Sequence, residues 1–164
     1  MTASGVTRDG GPELARRNPD ATGLDLLPQQ GRMRLVDTIL EWADQRICVA
    51  GTVTERWPTA EDGDIHAVML IELVAQGAAL LGTRVMSDNE GKLALLVGVP
   101  EAVLDVRRVR CGTRLVAEVH VARGSGDYLV CEGVVRDGTE RLATVTLQGI
   151  RVPADAALPG QGDA

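Results

Sequence analysis

The chain has 164 residues, 45% of them apolar and 24% charged, with 17 Lys and Arg against 23 Asp and Glu for a formal net charge of −6. That length and polarity suit one soluble domain. An acidic chain with two Trp, one Tyr and no Phe has neither the basic surface that displaces phosphate counterions nor the rings that stack on bases, which excludes nucleic-acid binding.

Cys48, Cys111 and Cys131 are odd in number and far apart, so neither a disulfide framework nor a Cys-x-x-Cys metal half-site is expected. His66 and His120 are too distant in sequence to suggest a zinc centre, and no metal is expected. The N-terminus lacks an apolar signal-peptide region, so the expected location is a bacterial-type cytoplasm.

In chain order, residues 1–22 are polar and aperiodic and are predicted to form a disordered arm; residues 153–164 form a similar flexible tail, leaving 23–152 as the folded domain. A strand-like stretch starts at Met33–Leu40, and Ile47–Thr54 continues in β-branched residues. Trp57–Asp64 is a loop by composition. The apolar block Ile65–Gly82 is long and rich in Ala and Leu, which predicts a helix with Asp64 as its N-cap. Being apolar nearly all round, this helix belongs in a core. As a membrane span it would carry Glu72 and Gln76 near the bilayer centre, which is unfavourable for a carboxylate, so no membrane association is expected. Four alternating stretches follow, Leu93–Val106, Thr113–Ala122, Asp127–Arg136 and Arg141–Arg151, the last three separated by Gly124-Ser125-Gly126 and Asp137-Gly138 turns. The order predicts an α+β fold in which an antiparallel sheet wraps a long central hydrophobic helix.

Glu72 and Gln76 stand at i and i+4 on one face of that helix. A carboxylate on an otherwise apolar helix needs a partner, since desolvation costs several kcal/mol. Either Glu72 gives a proton to a ligand, or it is satisfied structurally at a subunit interface. Trp57 either gates a binding site or caps the core. His120 alternates within a strand and is read as exposed or hydrogen-bonded, and the cysteines as small packing residues. Arg107, Arg108 and Arg110 form a basic cluster that either attracts an acidic partner or is a solvated strand edge.

Around Glu72 the sequence resembles the hot-dog-fold 3-hydroxyacyl-acyl-carrier-protein dehydratases. Leu26-Leu27-Pro28-Gln29-Gln30-Gly31-Arg32-Met33-Arg34-Leu35-Val36-Asp37 is similar to that family's Leu-Pro-His … Met-x-Leu-Leu-Asp stretch. His66-Ala67-Val68-Met69-Leu70-Ile71-Glu72-Leu73-Val74-Ala75-Gln76 is similar to its Pro-Gly-Val-Leu-x-x-Glu-x-x-Ala-Gln helix, and Val109–Leu115 to its Val-x-Pro-Gly-Asp-x-Leu. The resemblance is nearest to the branch of aryl-polyene and related polyene pathways. It implies a hot-dog fold and dehydration of a β-hydroxyacyl thioester carried on the phosphopantetheine of acyl carrier protein, with no other cofactor. It also implies paired protomers, with a His from one protomer taking the α-proton and the helix carboxyl of the other, here Glu72, protonating the leaving hydroxyl. Helix-start N–H groups, here those of Ala67 and Val68, hold the thioester carbonyl, and Gln76 supports Glu72.

The sequence departs from the family in its base. The family His lies fourteen residues before the helix Glu, and that position here is Pro58; Gln29 stands for the His of Leu-Pro-His. Three readings remain open. The chain is one half of a heterodimer whose second hot-dog subunit supplies the His; or His66 is the base in a homodimer; or the chain is a non-catalytic acyl-binding subunit or a thioesterase.

Overall fold

In a computed structural model of the chain, residues 21–85 and 92–153 are described. Most of the predicted arm (1–20) and of the tail (154–164) lies outside them. A 3-10 turn over Ala21–Leu26 begins two residues inside the predicted arm. The strands are β1 (Thr38–Trp42), β2 (Arg46–Thr52), β3 (Asp64–His66), β4 (Lys92–Leu104), β5 (Arg108–Arg110), β6 (Arg114–Ser125), β7 (Tyr128–Asp137) and β8 (Glu140–Pro153), with helix α1 (Met69–Val85) between β3 and β4.

Six strands form one antiparallel sheet in the order β1-β2-β6-β7-β8-β4, and β3 and β5 pair as a separate ribbon. Alternation builds the inner face: Leu115, Ala117 and Val119 of β6 are buried while Glu118 and His120 face out. Ile47, Val119, Gly133 and Val145 fall in one register row across β2, β6, β7 and β8. Against this face lie Leu70, Leu73, Val74, Leu80 and Leu81 of α1, all buried in one aliphatic core. Two glycines set the approach of helix to sheet. A Cβ on Gly133 would collide with Val74 Cγ1, and one on Gly77 would come within 3.0 Å of Val119.

The predicted α+β arrangement is the observed one, with local differences. Met33 lies in a 3-10 turn (Gly31–Met33) and β1 begins only at Thr38. The intervening main chain is bonded by a side chain of α1 instead of a strand partner. Asp64 does not cap the helix: Asp64–His66 is strand, because Ile65 is fully buried opposite Val109, and α1 starts at Met69. β6 extends to Ser125, which tightens the first hairpin turn onto Gly126, at φ 57°. Among the described residues no helix is long and apolar enough to cross a membrane.

Candidate active site

Gln76 organises the site. It is fully buried, the one polar residue so placed among those described. Its Oε1 accepts from the N–H groups of Leu35 (2.9 Å) and Val36 (3.2 Å), while its Nε2 donates to the Met33 carbonyl and to Glu72 Oε1 (2.9 Å). Two backbone N–H donors fix which end of the amide is oxygen, so the NH2 must face Glu72. The i, i+4 pairing read from sequence is therefore a hydrogen bond. Its consequence is chemical: Glu72 Oε1 is engaged as an acceptor, and Oε2 is the oxygen left outside the bond to Gln76.

Glu72 is half-buried and lines a cavity of about 160 Å³. Ala75, Ala78 and Ala79 of α1, Ala94 to Leu96 of β4, Leu129 and Cys131 of β7, and Leu147 of β8 give it an aliphatic wall with no aromatic ring in it. Pro28, Gln29 and Arg151 also line it. Burial pushes the Cys131 thiol up to about 11, so it is protonated and unreactive at neutral pH. Arg151 donates to Asp127 Oδ1 at 2.9 Å, an oxygen that also takes Lys92 at 3.2 Å.

The other candidates do not join Glu72 in this cavity. Trp57 is 4% exposed and belongs to the core, with its ring beside Gly51. It packs in the core and does not line the cavity. His66 is exposed in β3 and shares a surface groove with Thr59, Glu61 and Arg108. Its Nδ1 accepts the Val68 N–H at 3.1 Å, which requires the neutral ring to carry its proton on Nε2. Ala67 is fully buried and its N–H donates to the Arg107 carbonyl at 3.0 Å. Both helix-start amides implied as carbonyl holders are thus engaged within the chain, because β3 and the run into β5 lie across the entry to α1.

Of the basic cluster, Arg108 pairs with Glu61 (3.2 Å) and Arg110 with Asp64 (4.0 Å). His120 faces outward beside Glu132 at 3.4 Å. Among the described residues no three His, Cys, Asp or Glu side chains gather as metal ligands. Sequence reasoning missed the alanine wall and the cavity position of Gln29. A signal for the wall existed, since Ala75 and Ala79 follow Glu72 at i+3 and i+7 on one helix face.

A long helix laid in the curve of an antiparallel sheet, with one carboxylate facing an aliphatic cavity, defines a hot-dog-fold protein. Solved structures share this fold. The dehydratase heterocomplex ApeI:P from Xenorhabdus doucetiae matches with a TM-score of 0.70 at 18% identity, over 80% of this chain and 92% of that one. A mutant thioesterase PA1618 from Pseudomonas aeruginosa matches at 0.66 and 17%, over 84% and 97%. More narrowly, the chain belongs to the ApeP-like family, whose model, described as ApeP dehydratase, matches residues 23–158. It is also 34% identical over 136 residues to the 3-hydroxyacyl-(acyl-carrier-protein) dehydratase FabZ of Anaeromyxobacter sp. (strain K), covering 76% of this chain and 86% of that one.

Proposed function

We propose that the chain is a subunit of a cytoplasmic 3-hydroxyacyl thioester dehydratase, acting on acyl carrier protein, in which Glu72 protonates the leaving hydroxyl and a second hot-dog subunit supplies the base. The observation that carries this reading is a carboxylate oriented by Gln76 at a cavity that no imidazole lines. The cavity suits an acyl chain: its wall is aliphatic and kept open by small residues. Family membership and the FabZ relative support the reaction class. The sequence resemblance to polyene-pathway dehydratases supports a role in such a pathway.

A base in trans is favoured over His66. With Nδ1 accepting from Val68, the neutral ring has its only other nitrogen protonated, so it cannot take a proton without giving up that bond. For a partner, the chain offers β4, an edge of the sheet with Leu96, Val97 and Val99 exposed along it. Unpaired strand edges with apolar side chains are places where another chain adds.

The test is to co-express the chain with a hot-dog subunit that carries the family His fourteen residues before its helix Glu and to present a 3-hydroxyacyl carrier protein to the purified complex. Mass spectrometry should show loss of one water from the acyl group with the complex and none with this chain alone. Glu72→Gln should abolish the loss while the complex still forms. Full rate with Glu72→Gln would remove Glu72 as the acid, and release of free acid would replace the dehydratase reading with a thioesterase.

A further inference from the structure

Gln29 is left without a role by that mechanism, although it lines the same cavity as Glu72. It follows Pro28 in the segment between the two 3-10 turns, and the segment is tied down at both ends. Leu27 is buried and its N–H donates to the Leu24 carbonyl, while the Met33 carbonyl and the Leu35 and Val36 amides are bonded by Gln76. One side chain therefore fixes both Glu72 and the loop bearing Gln29. The Gln29 Oε1 is buried and, among the described residues, has no hydrogen-bond partner. An orphaned buried carbonyl oxygen is costly, and one on a residue that lines a cavity is placed to accept from whatever occupies it.

We infer that Gln29 Oε1 accepts a hydrogen bond from the departing hydroxyl, so that Gln29 and Glu72 together form the site where water leaves. This rests on the dehydratase reading above. In that reaction the base removes the α-proton, the Cα–H electron pair becomes the Cα=Cβ bond, and the Cβ–O bond breaks as Glu72 Oε2 transfers its proton to the oxygen. The substrate hydroxyl carries one hydrogen and the leaving water two. The delivered hydrogen points back to Glu72 and the original one needs an acceptor. Its O–H becomes a stronger donor as the oxygen gains the second proton. An acceptor at Gln29 therefore binds the transition state more tightly than the ground state, which is the condition for raising kcat.

The test compares Gln29→Met, which keeps length and loses the acceptor, with Gln29→His, which restores an acceptor, both in the complex with the His-bearing subunit. Water elimination from a 3-hydroxyacyl carrier protein is measured beside α-hydrogen exchange of a saturated acyl carrier protein in D2O, which needs the base but no leaving group. Gln29→Met should lower kcat for elimination about 10- to 100-fold with KM within about twofold, leave exchange unchanged, and be largely rescued by Gln29→His. Unchanged elimination by Gln29→Met overturns the inference. So does a parallel fall in elimination and exchange, which would mark Gln29 as a packing residue. A wild-type complex that exchanges α-hydrogens yet eliminates no water overturns the dehydratase reading and the role of Gln29 together.

Discussion

Gln76 and Glu72 are joined by a hydrogen bond whose direction is dictated from outside the pair. Because Leu35 and Val36 donate to Gln76 Oε1, the amide nitrogen must point at Glu72 Oε1, 2.9 Å away. A residue buried in the core thus sets which oxygen of the carboxyl is engaged and which is left outside the bond.

Gln76→Leu fits the space but leaves two amides and the Met33 carbonyl without their partner. Loss of a fully buried network of this kind costs about 3–5 kcal/mol, a drop in Tm on the order of 10 °C. Thermal unfolding followed by circular dichroism should show it. A change below about 1 kcal/mol would mean that the network is not stabilising.

Helix and sheet come close at Gly133 and Val74. Gly133→Ala places a methyl group against Val74 Cγ1 and should cost about 1–3 kcal/mol by overpacking. Val74→Ala alone also destabilises, by opening a cavity. The double variant should be more stable than the sum of the two single losses implies, because each relieves the other's defect. Strict additivity in urea titrations would show that the two positions do not meet.

Asp37 predicts a pH effect whose sign is fixed. Burial acts to raise its pKa, but the Thr38 hydroxyl, the Thr52 N–H at 2.8 Å and the Arg114 guanidinium together hold it below its ordinary value of 3.8. A depressed carboxyl contributes stability that is fully present above the unfolded value and is lost as pH falls through the folded one. Asp37→Ala should therefore cost about 1 kcal/mol at neutral pH, a modest figure because the pair with Arg114 is half-exposed to solvent. The gap to wild type should close below 3.8. A gap that stays constant into acid would show that the Asp37 charge contributes nothing.

Cys131 lines the cavity as a neutral thiol, its pKa raised to about 11 by burial. Since the thiolate is the reactive form, iodoacetamide at neutral pH should label Cys131 slowly in the native protein and rapidly once it is unfolded in urea. Peptide mass spectrometry distinguishes it from Cys48 and Cys111. Fast native labelling of Cys131 would show that the cavity wall is open to reagent.

Local pattern determined much of this protein. The long apolar helix, the i, i+4 placement of Glu72 and Gln76, and the closing meander all depend on spacings of a few residues, so they are legible in sequence. Tertiary structure decided the rest. The partners of Gln76 lie 40 to 43 residues away at Met33, Leu35 and Val36, and they convert a predicted strand start into a tethered segment that places Gln29 on the cavity Glu72 lines. The β3–β5 ribbon is invisible in the pattern because each strand has three residues; it sets His66 in a surface groove away from the cavity, and Arg107, just before β5, takes the Ala67 amide. Side-chain periodicity records which face of an element is buried. It does not record which distant backbone group a buried amide will satisfy, and in this fold that choice places the acid.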